Sequence, residues 1–192
     1  MRSLHDAKVS GLLLAYVWAE VIRNDKGFTL IELLIVVAIV GVLSAIATAT
    51  VMNARMSGNE ASAVASMRVI VSAQIDYHGL NRGYALSLAE LASRCPGSST
   101  PFLSSDLNTN GVTKSGFTYT LGAGLGAQAG PNDCNGAVTQ TAFYSTAIPI
   151  TVGRTGNRGF ATNAIGAIWQ DTTGLAPPEP FVVAGNVSPV GR

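Results

Sequence analysis

One acid, Glu32, stands inside an otherwise apolar run from Phe28 to Met52, five residues after Gly27. A carboxylate in hydrocarbon costs on the order of 3 kcal/mol on insertion scales, so a partner is expected. Gly27 is a small residue just ahead of the run, and cleavage after it would give Phe28 a free α-amino group. That cation is poorly placed for Glu32 along its own helix. A second copy, shifted along the axis, would bring its amine to this acid. Such a pair neutralises both charges and fixes the register between subunits, as a lone polar core group does in coiled coils.

Other residues with chemistry are few. Cys95 and Cys134 lie in no CxxC pair, the histidines are His5 and His78, and no metal-site spacing is present. Two cysteines downstream of a membrane segment fit one disulfide in an oxidising compartment, stabilising by roughly 4 kcal/mol on the loop-entropy model; two buried thiols are the alternative. Asp106, Asn108 and Asn110 in "DLNTNG" echo the alternating oxygen ligands that open a calcium loop. The position eleven after Asp106 is Phe117 and not an acid, so a turn is preferred and calcium is kept as the alternative. The Gly-rich stretch 122–137 lacks a phosphate-binding lysine and a preceding βα pattern, and reads as turn chemistry. No catalytic constellation emerges, so neither an enzyme nor a cofactor is expected.

These residues must be positioned by a chain of 192 residues, 47% hydrophobic and only 12% charged. The charged share is about half that of soluble domains. A net charge of +1 without a basic block gives no large nucleic-acid patch, and DNA contact by a few residues is left open. The run from Phe28 to Met52 is long enough to span a bilayer as a helix, whereas "GLLLAYVWA" (11–19) is too short. Arg23 and Lys26 just before the run place residues 1–27 in the cytoplasm and the rest outside. From Asn53 to Tyr77 there is no proline, and Val64, Met67, Val71 and Ile75 form one stripe, flanked by polar side chains including Glu60 and Ser66. Gly79 is the expected helix cap.

The segment "KGFTLIELLIVVAIVGVLSAIA" closely resembles the signal of type IV pilins and type II secretion pseudopilins: a basic residue, Gly, a methylated Phe, and Glu five residues past the cut. The resemblance implies that a prepilin peptidase cuts between Gly27 and Phe28 and methylates the Phe28 amine, and that Glu32 aligns an incoming subunit. It also implies an inner-membrane intermediate, an assembly platform with secretin machinery, and a homo-oligomeric filament outside the cell or in the periplasm. Many pilins carry a proline within this helix; here none occurs before Pro96. The 27-residue leader is long for the commoner subclass, and "VIRNDKG" (21–27) alone would make an ordinary short one, so residues 1–20 read as a misplaced gene start. Residues 59–91 and the pattern from Arg158 to Ile168 are also similar to a common bacterial pilin-like group.

Beyond residue 80 the chain reads as a β-rich head with a Pro-rich tail. Residues 87–94 form a short helix with Ser87 as N-cap and Glu90 completing a capping box. Strands are expected at 117–121, 141–150, 158–163 and 166–171, the last two joined by "NAIG" as a hairpin. The sum is α+β: one long N-terminal helix, its first half membrane-spanning (28–52) and its second amphipathic (53–79), packed on a four-stranded antiparallel sheet (80–192). The function implied is a pilin-like structural subunit serving adhesion, motility, secretion or DNA uptake. A secretion pseudopilin is the alternative, and a membrane-anchored binding protein or enzyme is a third reading.

Overall fold

Apolar and helix-forming residues without proline give one unbroken helix, α1, Leu30–Asn81, in a computed structural model that describes residues 27–191. The expectations for the leader and the gene start fall on residues 1–26, outside the described ones. The chain divides into two units, Met1–Thr48 and Ala49–Arg192.

In the first unit, α1 carries large apolar side chains that no part of the chain covers among the described residues. Leu30 is 82% exposed, and Ile35, the least exposed of the large apolar residues from Phe28 to Ile46, is 50% exposed. This helix is long and apolar enough to cross a membrane.

In the second unit, α1 lies on a six-stranded antiparallel sheet ordered β1-β2-β5-β6-β7-β8. The strands are β1 Val112–Lys114, β2 Phe117–Ala123, β5 Phe143–Pro149, β6 Gly159–Asn163, β7 Ile168–Asp171 and β8 Val187–Pro189. A separate hairpin pairs β3 Ala129–Asn132 with β4 Val138–Gln140. The four expected strands are therefore the central β2, β5, β6 and β7, in that spatial order. The sheet nevertheless has six strands, and the total is eight in two sheets. The added β1 and β8 are three-residue edges whose pairing is dictated by β2 and β7, too short to alternate legibly. The hairpin β3–β4 hid in the Gly-rich stretch because Gly130 and Pro131 sit inside β3, beside a register shift.

Alternation sets the core. Phe117, Tyr119 and Leu121 of β2 point inward, as do Phe143, Ser145 and Ala147 of β5, all buried. They meet Ala63, Met67, Ile70, Ala73 and Tyr77 of α1. Burying a side chain such as Phe117 stabilises by about 1.5–3 kcal/mol. The helix stripe is rotated from the expected one: Val64 and Val71 are half-buried at its edge, and Ile75 is 60% exposed. Gln74 takes the central place instead, because its amide donates to the Ala85 carbonyl and accepts from the Ala85 amide, both at 2.9 Å. A buried amide so satisfied carries little penalty.

The helix ends two residues beyond the expected cap. Gly79 lies inside α1, and Arg82 takes the left-handed conformation, φ 59°, with its amide on the His78 carbonyl at 2.8 Å. The chain then passes so close to β4 that a Cβ on Gly83 would lie 2.0 Å from Thr139 Oγ1. The short helix α2, Leu88–Ala92, forms where expected. The Ser87 hydroxyl accepts from the Glu90 amide at 3.2 Å, and the Glu90 carboxylate accepts from the Leu86 amide at 2.7 Å. The capping box thus reaches back one residue further than the usual form, which returns to the cap residue itself.

Candidate assembly site

The N-terminal segment is organised around Thr29. Its hydroxyl accepts from the Glu32 amide at 3.2 Å, and its carbonyl accepts from the Leu33 amide at 3.2 Å. Thr29 is therefore the N-cap of α1, and Glu32 is the third residue of the first turn. The spacing Thr-x-x-Glu is that of a capping box, a local signal for the helix start that the apolar run masks. A carboxylate in the first turn is also favoured by the positive end of the helix.

Glu32 makes no ion pair among the described residues, and its neighbours Leu30, Ile31, Leu33 and Leu34 are all exposed. Gly27 and Phe28 precede the helix, and Phe28 is 79% exposed. The arrangement presents one acid on an apolar surface next to the chain position that cleavage would turn into a cation. It can pair, once, with a positive group brought by another molecule.

In the head, Cys95 and Cys134 form a disulfide across 39 residues of sequence, with their Cα atoms 5.4 Å apart. It joins the segment after α2 to the β3–β4 turn. That turn is anchored on α1 as well. The Cys134 amide donates to Asn81 Oδ1 at 3.0 Å, and the Tyr77 hydroxyl donates to Asp133 Oδ2 at 2.7 Å. Asp133 Oδ1 accepts from the Asn135 and Ala137 amides at 2.8 and 2.7 Å. Burial opposes the ionised form of Asp133, but the Tyr77 hydroxyl and the amides of the turn outweigh it and hold the carboxyl below its usual range. Burial, aided by Asp133, pushes the Tyr77 hydroxyl well above the usual tyrosine range.

The "DLNTNG" residues are divided among other tasks. Asp106 sits in a 3-10 turn, Ser105–Leu107, and pairs with Lys114 Nζ at 2.6 Å. It also accepts from the Ser104 hydroxyl, and these contacts, Lys114 foremost, lower its pKa. Asn108 is exposed. Asn110 Oδ1 accepts from the Leu88 and Leu121 amides, and its Nδ2 donates to the Leu121 carbonyl at 2.7 Å, stapling α2 to β2. No cluster of three or more His, Cys, Asp or Glu able to hold a metal occurs among the described residues.

Sequence reasoning missed the most consequential polar contact of the head. Glu60, expected on the polar flank, is 6% exposed. Its carboxylate accepts from the Asn157 amide at 2.7 Å and from the Arg158 amide at 3.1 Å, and it pairs with the Arg158 guanidinium through Nε at 2.8 Å and a second nitrogen at 2.7 Å. Beside it, Asn59 Nδ2 donates to the Thr155 carbonyl at 2.9 Å. The partners lie almost 100 residues away, beyond any local pattern.

Comparison with known proteins finds similarity at the level of sequence. Residues 22–48 match the family described as the prokaryotic N-terminal methylation motif. Over 71 residues the chain is 41% identical to the type IV wide pilus major component PilA4 of Thermus thermophilus, covering 37% of this chain and 54% of that one. The match thus spans about half the length of that relative. No solved structure matches the chain.

Proposed function

We propose that this chain, a member of the type IV pilin family, is a structural subunit that is cut between Gly27 and Phe28, methylated on the Phe28 amine, and built into a helical filament. One observation carries the reading: the methylation motif covers the start of a capped helix whose apolar surface up to Ile46 has no cover among the described residues and whose one acid in that stretch, Glu32, makes no ion pair there. That the similar Thermus protein is a major pilus component supports the same direction.

The physical sequence of events follows from the residues. Before assembly the apolar helix rests in the inner membrane, with residues 1–27 on the cytoplasmic side and the head outside. A prepilin peptidase removes those residues and leaves the Phe28 amine as a cation. Moving the helix from lipid into a bundle of sister helices brings no hydrophobic gain, because lipid tails are as apolar as leucine. Packing contacts and the Glu32–amine pair must then decide where an incoming subunit stops. The pair forms at one axial offset only, so it sets the register while removing two charges from an apolar setting. The assembly platform and secretin machinery would carry the filament outward. The work of the finished subunit is structural.

Mass spectrometry of the main protein in sheared surface filaments tests the reading. The expected result is a chain that begins at a methylated Phe28. A filament protein beginning elsewhere, or normal filaments from Glu32→Ala cells, would overturn it. Gly27→Ala should leave uncleaved precursor in the membrane fraction.

A further inference from the structure

The head carries a basic feature that pilin assembly through Glu32 does not use. Met52 and Arg55 of α1 line a cleft of about 300 Å³ with Thr151, Arg154 and Thr155 of the loop between β5 and β6. Neither arginine forms an ion pair among the described residues. The nearest acid further along the helix, Glu60, is already saturated by Arg158 and two backbone amides.

The loop is a fixed structure and not a dangling arm. The Thr155 hydroxyl accepts from the Thr151 amide and donates to the Thr151 carbonyl, each at 3.1 Å. The Arg154 and Thr155 amides close on the same Thr151 carbonyl at 3.1 and 2.9 Å. Asn59 holds the loop against the helix through the Thr155 carbonyl. The same loop exposes apolar side chains: Ile150 is 56% exposed and Val152 is 54% exposed. Two unpaired guanidiniums beside exposed aliphatic side chains form the composition of a surface that rests at a membrane interface.

Chain position puts Arg55 just past the length of helix that a bilayer needs. About 20 helical residues cross the hydrocarbon, which from Phe28 ends near Thr48. Each headgroup layer adds about 5–7 Å, or about four more residues, which ends near Met52. Arg55 follows about three residues later, about 4.5 Å of helix rise, and its side chain is long enough to reach back to the phosphates.

We propose that Arg55 and Arg154 form a phosphate-binding site for phospholipid headgroups of the outer-facing leaflet, with Ile150 and Val152 dipping into the interface, so that the unassembled subunit holds the base of its head on the membrane. The proposal rests on the membrane-anchored intermediate described above. The guanidinium fork suits phosphate bidentately, and each arginine near an anionic surface contributes about a fivefold bias towards contact.

The full chain with Val152→Cys, labelled with an environment-sensitive fluorophore, can be reconstituted into vesicles of phosphatidylcholine and phosphatidylglycerol; the native cysteines are oxidised to a disulfide. The expected result is a probe shielded from a soluble quencher. In Arg55→Gln/Arg154→Gln the fraction of heads on the membrane should shift by about thirtyfold towards release. Equal shielding in both proteins would overturn the proposal. Release of the wild-type probe by millimolar inorganic phosphate would show a site for free phosphate and not for lipid, overturning the membrane contact. Wild-type-like shielding in the double variant together with failed filament assembly would assign the arginines to an acid on a second copy instead. Alkaline carbonate extraction of the same samples separates the two readings: protein that washes off defeats the anchor itself, whereas protein that stays with an unshielded probe defeats only the headgroup site.

Discussion

The two halves of α1 differ in what covers them. From Phe28 to Ile46 every large apolar side chain is half-exposed or more. From Ala63 to Tyr77 the inward residues are sealed against the sheet, with Met67 and Ile70 fully buried. Backbone hydrogen bonding is the same in both, so helix formation alone does not distinguish them. Composition does. The first half is apolar all round, a pattern tolerated only where lipid or other helices surround it; the second is apolar on one face, which one sheet satisfies. A single helix thus carries one surface that its own chain covers and one that it leaves open.

That contrast can be broken from either side. The largest effect is expected at the covered half: Phe117→Ala should destabilise the head by about 3–5 kcal/mol, read by denaturant unfolding in detergent. Next, Glu60→Ala should cost about 3 kcal/mol in the same measurement, because it leaves Arg158 and two amides without their acceptor. A loss below about 1 kcal/mol would mean the pair is decorative. Alkaline pH should sharpen the comparison. The Tyr144 hydroxyl donates to the Pro177 carbonyl at 2.5 Å, and burial, then Glu179, pushes its pKa up to about 12. A raised folded value contributes stability that is complete below the unfolded value of about 10 and is lost as pH rises towards about 12. Tyr144→Phe should therefore remove part of the head's alkaline unfolding while leaving α1 before residue 49 helical, which separate near- and far-ultraviolet dichroism would report. The smallest effect is expected from Val36→Ala: no change in head unfolding within about 0.5 kcal/mol. A larger change would mean that the apolar half supports the head after all.

What could be read from the sequence follows the same division. The apolar half announced itself through length, its one acid and the residues before it. The central strands were legible because "FTYTL" and "TAFYSTAIPI" alternate under the control of their own side chains. The edge strands were not, since a three-residue strand is created by its neighbour's free backbone. Gln74 replaced Ile75 at the centre of the stripe for a reason outside any apolar count: its amide finds both of its partners on Ala85. Glu32 was legible as a lone acid at the start of the apolar helix, but the basic cleft at Arg55 and Arg154 joins positions about 100 residues apart, which local spacing does not connect.

The Cys95–Cys134 bond encloses α2's trailing loop, β1, β2 and β3 in one covalent ring. A protease meeting the head from outside would find its accessible targets among the exposed residues of that ring, such as Ser98, Ser99 and Leu125. One cut at any of them opens the ring without making two molecules. The nicked head keeps its C-terminal strands tethered to α1 through sulfur, so damage at the surface need not shed the severed part.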